Sequence, residues 1–416
     1  MAHTKAAQTV LYVVSSTTKG RNGRKLDLSW LKPYFHKVVP VYAGERSAGE
    51  GELCVPPWPN PLGSLDILGM QRLKRTLDSF FLFPDRSVLF LHAVRRKLRE
   101  SIRRELGDGH LVTVLITTPP HAVSVLSLYL RRYYPQLRIV VDWQDLWTFD
   151  EAYLLRTPWI FRRRLARLEQ EIMQAVDVNL TTNHKAATIL EDRYRVPSSK
   201  VAHINHHFDP SDARSIAPAR ENSVRQATDT VHIGFLGTMF KPPKVPGEAV
   251  VRALDRVAAS GLAIEFHLFG DPTEAAREAA AEMQNPVMTI YERTPHAEAM
   301  RNASTCDFLL IALADLPNCN VIMHGKLPHY LLLGRPILAL VPGDSFVAEV
   351  IEKTKTGTVM PDEATWSSDL RYVLTDFLDG KYSFQPDAPA IQKFSIDRLL
   401  EKWVNVAAGN PDNDGA

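Results

Sequence analysis

The feature that most constrains this chain is a rhythm. Short, continuous runs of Val, Ile and Leu alternate with helix-length amphipathic segments, and after a polar interruption the same alternation begins again. Thr9–Val14, Lys37–Tyr42, Leu111–Thr117, Leu137–Trp143, Val176–Thr181 and Lys200–Ile204 read as strands. They are apolar on successive residues rather than alternate ones, as expected of strands buried on both faces of a parallel sheet. Leu65–Phe80, Leu89–Leu106, His121–Tyr134, Pro158–Ala175 and His184–Tyr194 read as the helices between them. Strand–helix alternation with right-handed crossovers gives an open, doubly wound α/β sheet.

The second round places strands at Val231–Leu236, Ile264–Phe269, Val287–Tyr291, Asp307–Ala312, Ile337–Val341 and Gly357–Met360. Helices are expected near Pro246–Ala259, Glu274–Met283, His296–Ser304, Lys326–Leu333, Phe346–Lys353 and Ala364–Leu378, with a last amphipathic segment at Ile391–Val406. The expected organisation is therefore an α/β domain over residues 1–212, a linker over 213–230, a second α/β domain over 231–390, a final helix over 391–408 and a polar tail over 409–416. A length of 416 residues suits two domains.

Composition narrows the function. The 49 Lys and Arg nearly cancel the 47 Asp and Glu, a net charge of +2, and a nucleic-acid binder carries a stronger basic bias. The three cysteines, Cys54, Cys306 and Cys319, form neither a disulfide framework nor a cysteine zinc set. The apolar run Val10–Val14 is too short for a signal-peptide core, and no run reaches the ~18 residues of a membrane span. A cytoplasmic protein is expected. One helix, however, repeats Phe90, Val94, Leu98, Ile102 and Leu106 opposite Arg95, Arg96, Arg99 and Arg103, and Arg162, Arg163, Arg164 and Arg167 follow later. A core stripe with a solvated back is the commoner origin of such a pattern, but the concentration of one charge sign here favours peripheral binding to an anionic membrane surface.

Ligands of doubly wound sheets bind at the carboxyl ends of the strands, and four loops there carry suitable chemistry. Gly237 and Thr238 end a strand and are followed by Lys241 and Lys244, a backbone that admits close approach beside two cations. An ordinary strand–helix turn with two solvated lysines reads the same way. Lys326, Leu327 and His329 open a helix that Gly334 and Pro336 close. His121 follows Thr118-Pro119-Pro120 at a strand end, available for proton or hydrogen-bond work or for packing. Asp142 and Asp145 follow the next strand, as a base, as hydroxyl or metal ligands, or as helix caps. His203, His206 and His207 lack partners for a recognisable metal set, and Asp412-Asn413-Asp414 lies in the tail.

In this order the loops resemble the GT-B glycosyltransferases, specifically the retaining group called family four, over nearly the whole chain. Phe83-Pro84-Asp85, Thr118-Pro119-Pro120-His121 and Val141-Asp142-Trp143-Gln144-Asp145-Leu146-Trp147 look like its "PD", "SPPH" and "DxRDxW" stretches, and Phe208-Asp209 like the end of "NGFD". Gly237-Thr238 looks like its phosphate loop, Cys306–Leu310 like its "ADvlL" strand, and Lys326–Tyr330 through Gly334–Leu338 like "SKlyEYLaaGkPiL".

The resemblance implies two Rossmann-like domains facing across a crevice, with the last helix crossing back to the first. It implies transfer of a sugar from a nucleotide-sugar donor to a glycan or lipid-linked acceptor, in polysaccharide or glycolipid assembly, with no metal and no cofactor. Gly237, Thr238, Lys241, Lys244, Lys326, Leu327 and His329 would hold the donor. His121, Asp142 and Asp145 would be catalytic, on the acceptor side. This chain departs from the pattern where His329 and Val321 align with glutamates and His206 and His207 with the "NGFD" asparagine and glycine. Two other functions stay open: a nucleotide-sugar epimerase, a class that buries carboxylates and histidines in the same crevice of the same fold, and, because His329 and Val321 replace glutamates, a catalytically silent scaffold subunit.

Overall fold

A computed structural model describes residues 5–15, 26–44, 51–60, 70, 77–78, 80–150, 153–154, 157–215, 229–241, 244–270, 273–285 and 287–409. The expected helix Leu65–Phe80 falls largely outside these residues. So do most of the 213–230 linker and all of the 410–416 tail.

The chain forms two compact units, one of residues 1–205 with 399–416, the other of residues 206–398. The first holds β1 (Thr9–Ser15), β2 (Lys37–Ala43), β3 (Leu53–Val55), α1 (Val88–Gly107), β4 (Leu111–Thr118), α2 (Leu126–Tyr133), β5 (Arg138–Trp143), α3 (Trp159–Ala175), β6 (Val178–Thr181), α4 (His184–Asp192) and β7 (Val201–His203). Its sheet is parallel with order β3-β2-β1-β4-β5-β6-β7. β1 is buried at six successive positions and β4 at seven, which is why neither alternates. Chain order reverses between β1 and β4, and that switch point opens a crevice at their carboxyl ends.

The second unit holds β8 (Val231–Leu236), β9 (Phe240–Lys241), β10 (Val245–Pro246), α5 (Gly247–Ala259), β11 (Ile264–Phe269), α6 (Glu274–Glu282), β12 (Met288–Tyr291), α7 (His296–Ala303), β13 (Phe308–Ala312), α8 (Leu327–Leu333), β14 (Ile337–Leu340), α9 (Phe346–Thr354), β15 (Gly357–Val359), α10 (Trp366–Leu378) and α11 (Ala388–Gln392). Six parallel strands run β12-β11-β8-β13-β14-β15, with the switch point between β8 and β13, while β9 and β10 pair as a small antiparallel ribbon. Two cores fill the two faces of this sheet. One centres on Phe235, Leu254, Phe266 and Trp366, the other on Leu309, Leu327, Tyr330 and Ile351.

Two elements differ from expectation. Leu53–Val55 adds a seventh strand that a three-residue run does not announce. The last amphipathic segment is not one helix: α11 stops at Gln392, Ser395 pairs with Phe208, and α12 (Ile396–Ala408) then begins. From Leu399 onward α12 belongs to the first unit. Thr113 donates its hydroxyl to the Ala407 carbonyl at 2.9 Å, and the Arg138 guanidinium reaches the Val406 carbonyl at 2.9 and 3.0 Å. The chain end is thereby returned to the first sheet.

On α1 the residues Phe90, Val94, Leu98 and Ile102 are core. The stripe that suited a membrane is therefore spent on packing. Arg95 sits over the Tyr129 ring at 5.2 Å, whereas Arg96 and Arg103 remain exposed. Among the described residues no helix is long and apolar enough to cross a membrane.

Candidate functional site

In the second unit the site is built around an exposed glycine. β8 ends at Leu236, and Gly237 turns the chain with φ +90°, a conformation that favours glycine. Its amide donates to the Phe269 carbonyl at 2.7 Å. Gly270, which follows β11, lies so close that an added Cβ would stand 2.5 Å from the Gly237 carbonyl oxygen. The two turns thus pack backbone against backbone.

Lys326 lies over this turn. Its Nζ is 4.0 Å from where a Gly237 Cβ would be, and 3.3 Å above the centroid of the Phe235 ring. Part of the side chain reaches solvent, but the ammonium is desolvated, and burial holds it well below the usual lysine range. The helix that presents it is fixed by Tyr330. That hydroxyl accepts from the Leu236 amide at 2.9 Å and donates to the Leu310 carbonyl at 3.1 Å. One phenol so ties α8 to β8 and β13, the two strands that flank the switch point. Leu327 is fully buried beneath.

The remaining expected donor residues are placed unevenly. Thr238 is half-buried beside Gly237. Lys244 is half-buried, and its carbonyl accepts from Ala314 N at 2.9 Å. Lys241 lies on β9, and its side chain is outside the described set. His329 is buried, with its ring 4.6 Å from the His296 ring. Asp212 completes a trio whose ligand atoms all lie within 4.8 Å of one another. Sequence reasoning missed Asp212 and His296, because they come from segments separated by more than eighty residues. A carboxylate thus stands beside His329.

In the first unit β4 and β5 are neighbours, with Thr117 opposite Asp142 and Thr118 opposite Trp143. His121 opens a short 3-10 turn, and its ring is boxed by aromatics. Trp147 stacks at 5.3 Å, Trp143 lies at 6.4 Å and Tyr153 stands edge-on at 5.2 Å. His121 is 2% exposed and Asp142 1%, so both are built into the end of the sheet. Gln144 Nε2 donates to Asp142 Oδ2 at 3.4 Å. Asp145 is half-buried, the least enclosed of the three.

Two supporting residues carry more of this geometry than the sequence suggested. Asp85 accepts from the Ala122 amide at 2.9 Å and from the Tyr153 hydroxyl at 3.3 Å, fixing the His121 turn from outside. Burial, and then the Asp85 charge, push the Tyr153 hydroxyl up. Glu169, fully buried on α3, accepts from the amides of Trp147 and Thr148 and from the Thr148 hydroxyl. Burial pushes its carboxyl up to about 7, against the opposing pull of those donors. A glutamate inside a basic amphipathic helix reads as solvated from sequence, and nothing local signals otherwise.

No protein-family model matches this sequence, and no curated protein matches it in sequence. Solved structures match in fold. A glycosyltransferase from Rickettsia africae ESF-5 is similar over 98% of this chain and 99% of its own, at 12% identity and a TM-score of 0.60. The chain has the GT-B fold. Anabaena HepE, solved with UDP, is similar over 95% of this chain and 98% of its own, at 11% identity and TM-score 0.59. A putative UDP-N-acetylglucosamine 2-epimerase from Listeria monocytogenes is similar over 95% and 96%, at 12% identity and TM-score 0.53. At these identities the GT-B likeness is one of architecture.

Proposed function

We propose that this GT-B chain is a glycosyltransferase that moves a sugar from a nucleoside-diphosphate donor to a glycan or lipid-linked acceptor, with retention as in family four. The observation that carries the reading is the desolvated Lys326 ammonium over the exposed Gly237 turn, at the switch point of the second sheet. A cation there meets the charge that grows on a departing diphosphate. Lys244 adds a second cation and Thr238 a hydroxyl. Gly237 lets the phosphates approach the backbone. Asp212 and His329 together take the ribose hydroxyls, the carboxylate accepting from them. With the leaving group served by lysines and amides, the transfer calls for no metal or cofactor at the diphosphate. In the first unit Asp145 faces the acceptor. His121 and Asp142 act from the buried end of the sheet, where Asp85 and Glu169 hold their loops.

Calorimetry with UDP, GDP, ADP, dTDP and CMP tests the donor site. HepE was solved with UDP, so UDP heads the panel. One nucleotide should stabilise the fold by about 2.7 kcal/mol at a hundredfold excess over Kd. No response to any of the five at millimolar concentration would sink the reading in favour of a silent scaffold. Interconversion of a sugar nucleotide without acceptor would favour the epimerase.

The acceptor side is proposed to work against an anionic membrane from the cytoplasmic face, through a surface other than the α1 stripe. Trp159 is 79% exposed and Phe81 71%, with Phe80 and Ile160 beside them. Exposed Arg163, Arg164 and Arg167 follow on α3. Phe81→Ser with Trp159→Ser should weaken binding to phosphatidylserine vesicles about tenfold. Arg96→Glu with Arg103→Glu should weaken it less, since the apolar stripe of their helix is packed in the core. Equal sedimentation of all variants with vesicles would remove the membrane from the reading.

A further inference from the structure

The carboxyl ends of β8 and β11 carry the proposed donor site, and their amino ends carry a second cluster. His232 is the second residue of β8, and Glu265 and His267 lie on β11. The register pairs Glu265 with His232 and His267 with Gly234, so the pleat puts all three side chains on one face. His232 Nδ1 is 3.0 Å from His267 Nε2 and 3.5 Å from Glu265 Oε2, and the last two atoms are 4.0 Å apart. A point equidistant from three atoms so spaced lies about 2.1 Å from each, the length of a zinc–imidazole or zinc–carboxylate bond.

The neighbouring strand orients the ligands. His267 Nδ1 is 3.0 Å from the Tyr291 hydroxyl on β12, and the other Glu265 oxygen accepts from the Thr289 hydroxyl at 3.3 Å. Histidines and carboxylates that hold metal are anchored in this way through their outer atoms. The His232 and Glu265 side chains are 26% and 40% exposed, so an ion can enter, while His267 at 11% forms the floor.

We propose that His232, Glu265 and His267 form a zinc site, with water in the fourth position. Two imidazoles and one carboxylate select zinc over calcium or magnesium, which take oxygen ligands. The site lies five residues from Gly237 along β8, about 16 Å. It clips β8 to β11 and takes no part in sugar transfer. Two other groups of suitable residues occur among those described. Asp212, His296 and His329 belong to the proposed ribose contact, and in Glu105, Asp108 and His110 the glutamate is already paired with Lys37 at 2.8 Å.

The full-length protein, stripped with chelator, is titrated with zinc chloride against a chromophoric competitor. One equivalent should bind and raise Tm, and cobalt should give the visible bands of a four- or five-coordinate N/O site. His232→Ala and Glu265→Gln should each abolish stoichiometric binding, and Tyr291→Phe should weaken it about tenfold. All three should keep wild-type circular dichroism and UDP affinity. No stoichiometric zinc at micromolar concentration overturns the proposal and leaves a hydrogen-bonded histidine pair. Zinc binding that survives in the His232→Ala/Glu265→Gln double variant but disappears in His296→Ala overturns it too, in favour of the other trio.

Discussion

Lys326→Met is expected to lower nucleoside-diphosphate affinity about a hundredfold while leaving the fold intact. Methionine keeps an apolar stem over Phe235, so the packing under α8 persists. What is lost is a charge-assisted contact in a desolvated place, where such contacts are strongest. The pH dependence of the wild type gives a second readout. In the free protein, burial holds the Lys326 ammonium below its ordinary value. A diphosphate beside it favours the charged form. Binding should therefore draw in a proton at pH values between the free-state and the bound-state ones. Affinity should fall as pH rises from that value toward the bound-state one. Calorimetry in two buffers of different ionisation enthalpy measures the uptake directly. Equal UDP affinity in wild type and Lys326→Met would remove the lysine from the site, and with it the main support for the donor reading.

The second large effect concerns stability. Glu169→Ala should destabilise the first unit by about 3 kcal/mol, because it strands the amides of Trp147 and Thr148 and the Thr148 hydroxyl in a buried place. The carboxyl itself brings a pH dependence. Its pKa is raised from 4.5 to about 7 on folding. The native state thus holds a proton that the unfolded chain gives up. This contribution is fully present below pH 4.5 and is lost as pH rises toward 7. Urea unfolding followed by the fluorescence of Trp143 and Trp147 should show wild-type stability falling across that window relative to Glu169→Gln. Parallel curves for the two would mean that the carboxyl is ionised throughout.

How much of this was legible in the sequence depends on how local each signal is. The strands of both sheets were, because burial on both faces writes itself as unbroken runs such as Val112–Thr118. The glycine turn at Gly237 and the stop at Gly334, with φ +62°, were visible for the same reason: both are properties of neighbouring residues. The three residues of β3 were not, since Leu53–Val55 is too short to show a period. Nor was the break between α11 and α12, because Ser395 leaves the helix to pair with Phe208, almost two hundred residues away. The site divides along the same line. Lys326 and His121 stood out by position at strand and helix ends. Asp212, His296 and the set His232, Glu265, His267 acquire meaning only once strand register and loop packing bring distant residues within a few ångströms.

The return of α12 to the first unit has a consequence for biosynthesis. Residues 1–205 leave the ribosome long before Leu399, and at ordinary elongation rates the interval is on the order of ten seconds or more. During it the first sheet lacks the helix whose carbonyls receive Thr113 and Arg138, and whose Trp403 and Val404 are fully buried. The nascent chain must carry that uncovered surface until the helix over Ile396–Ala408 has been made. The unit that begins folding first is thus the last to be finished, and a fragment ending at Asn205 would reproduce the unfinished state.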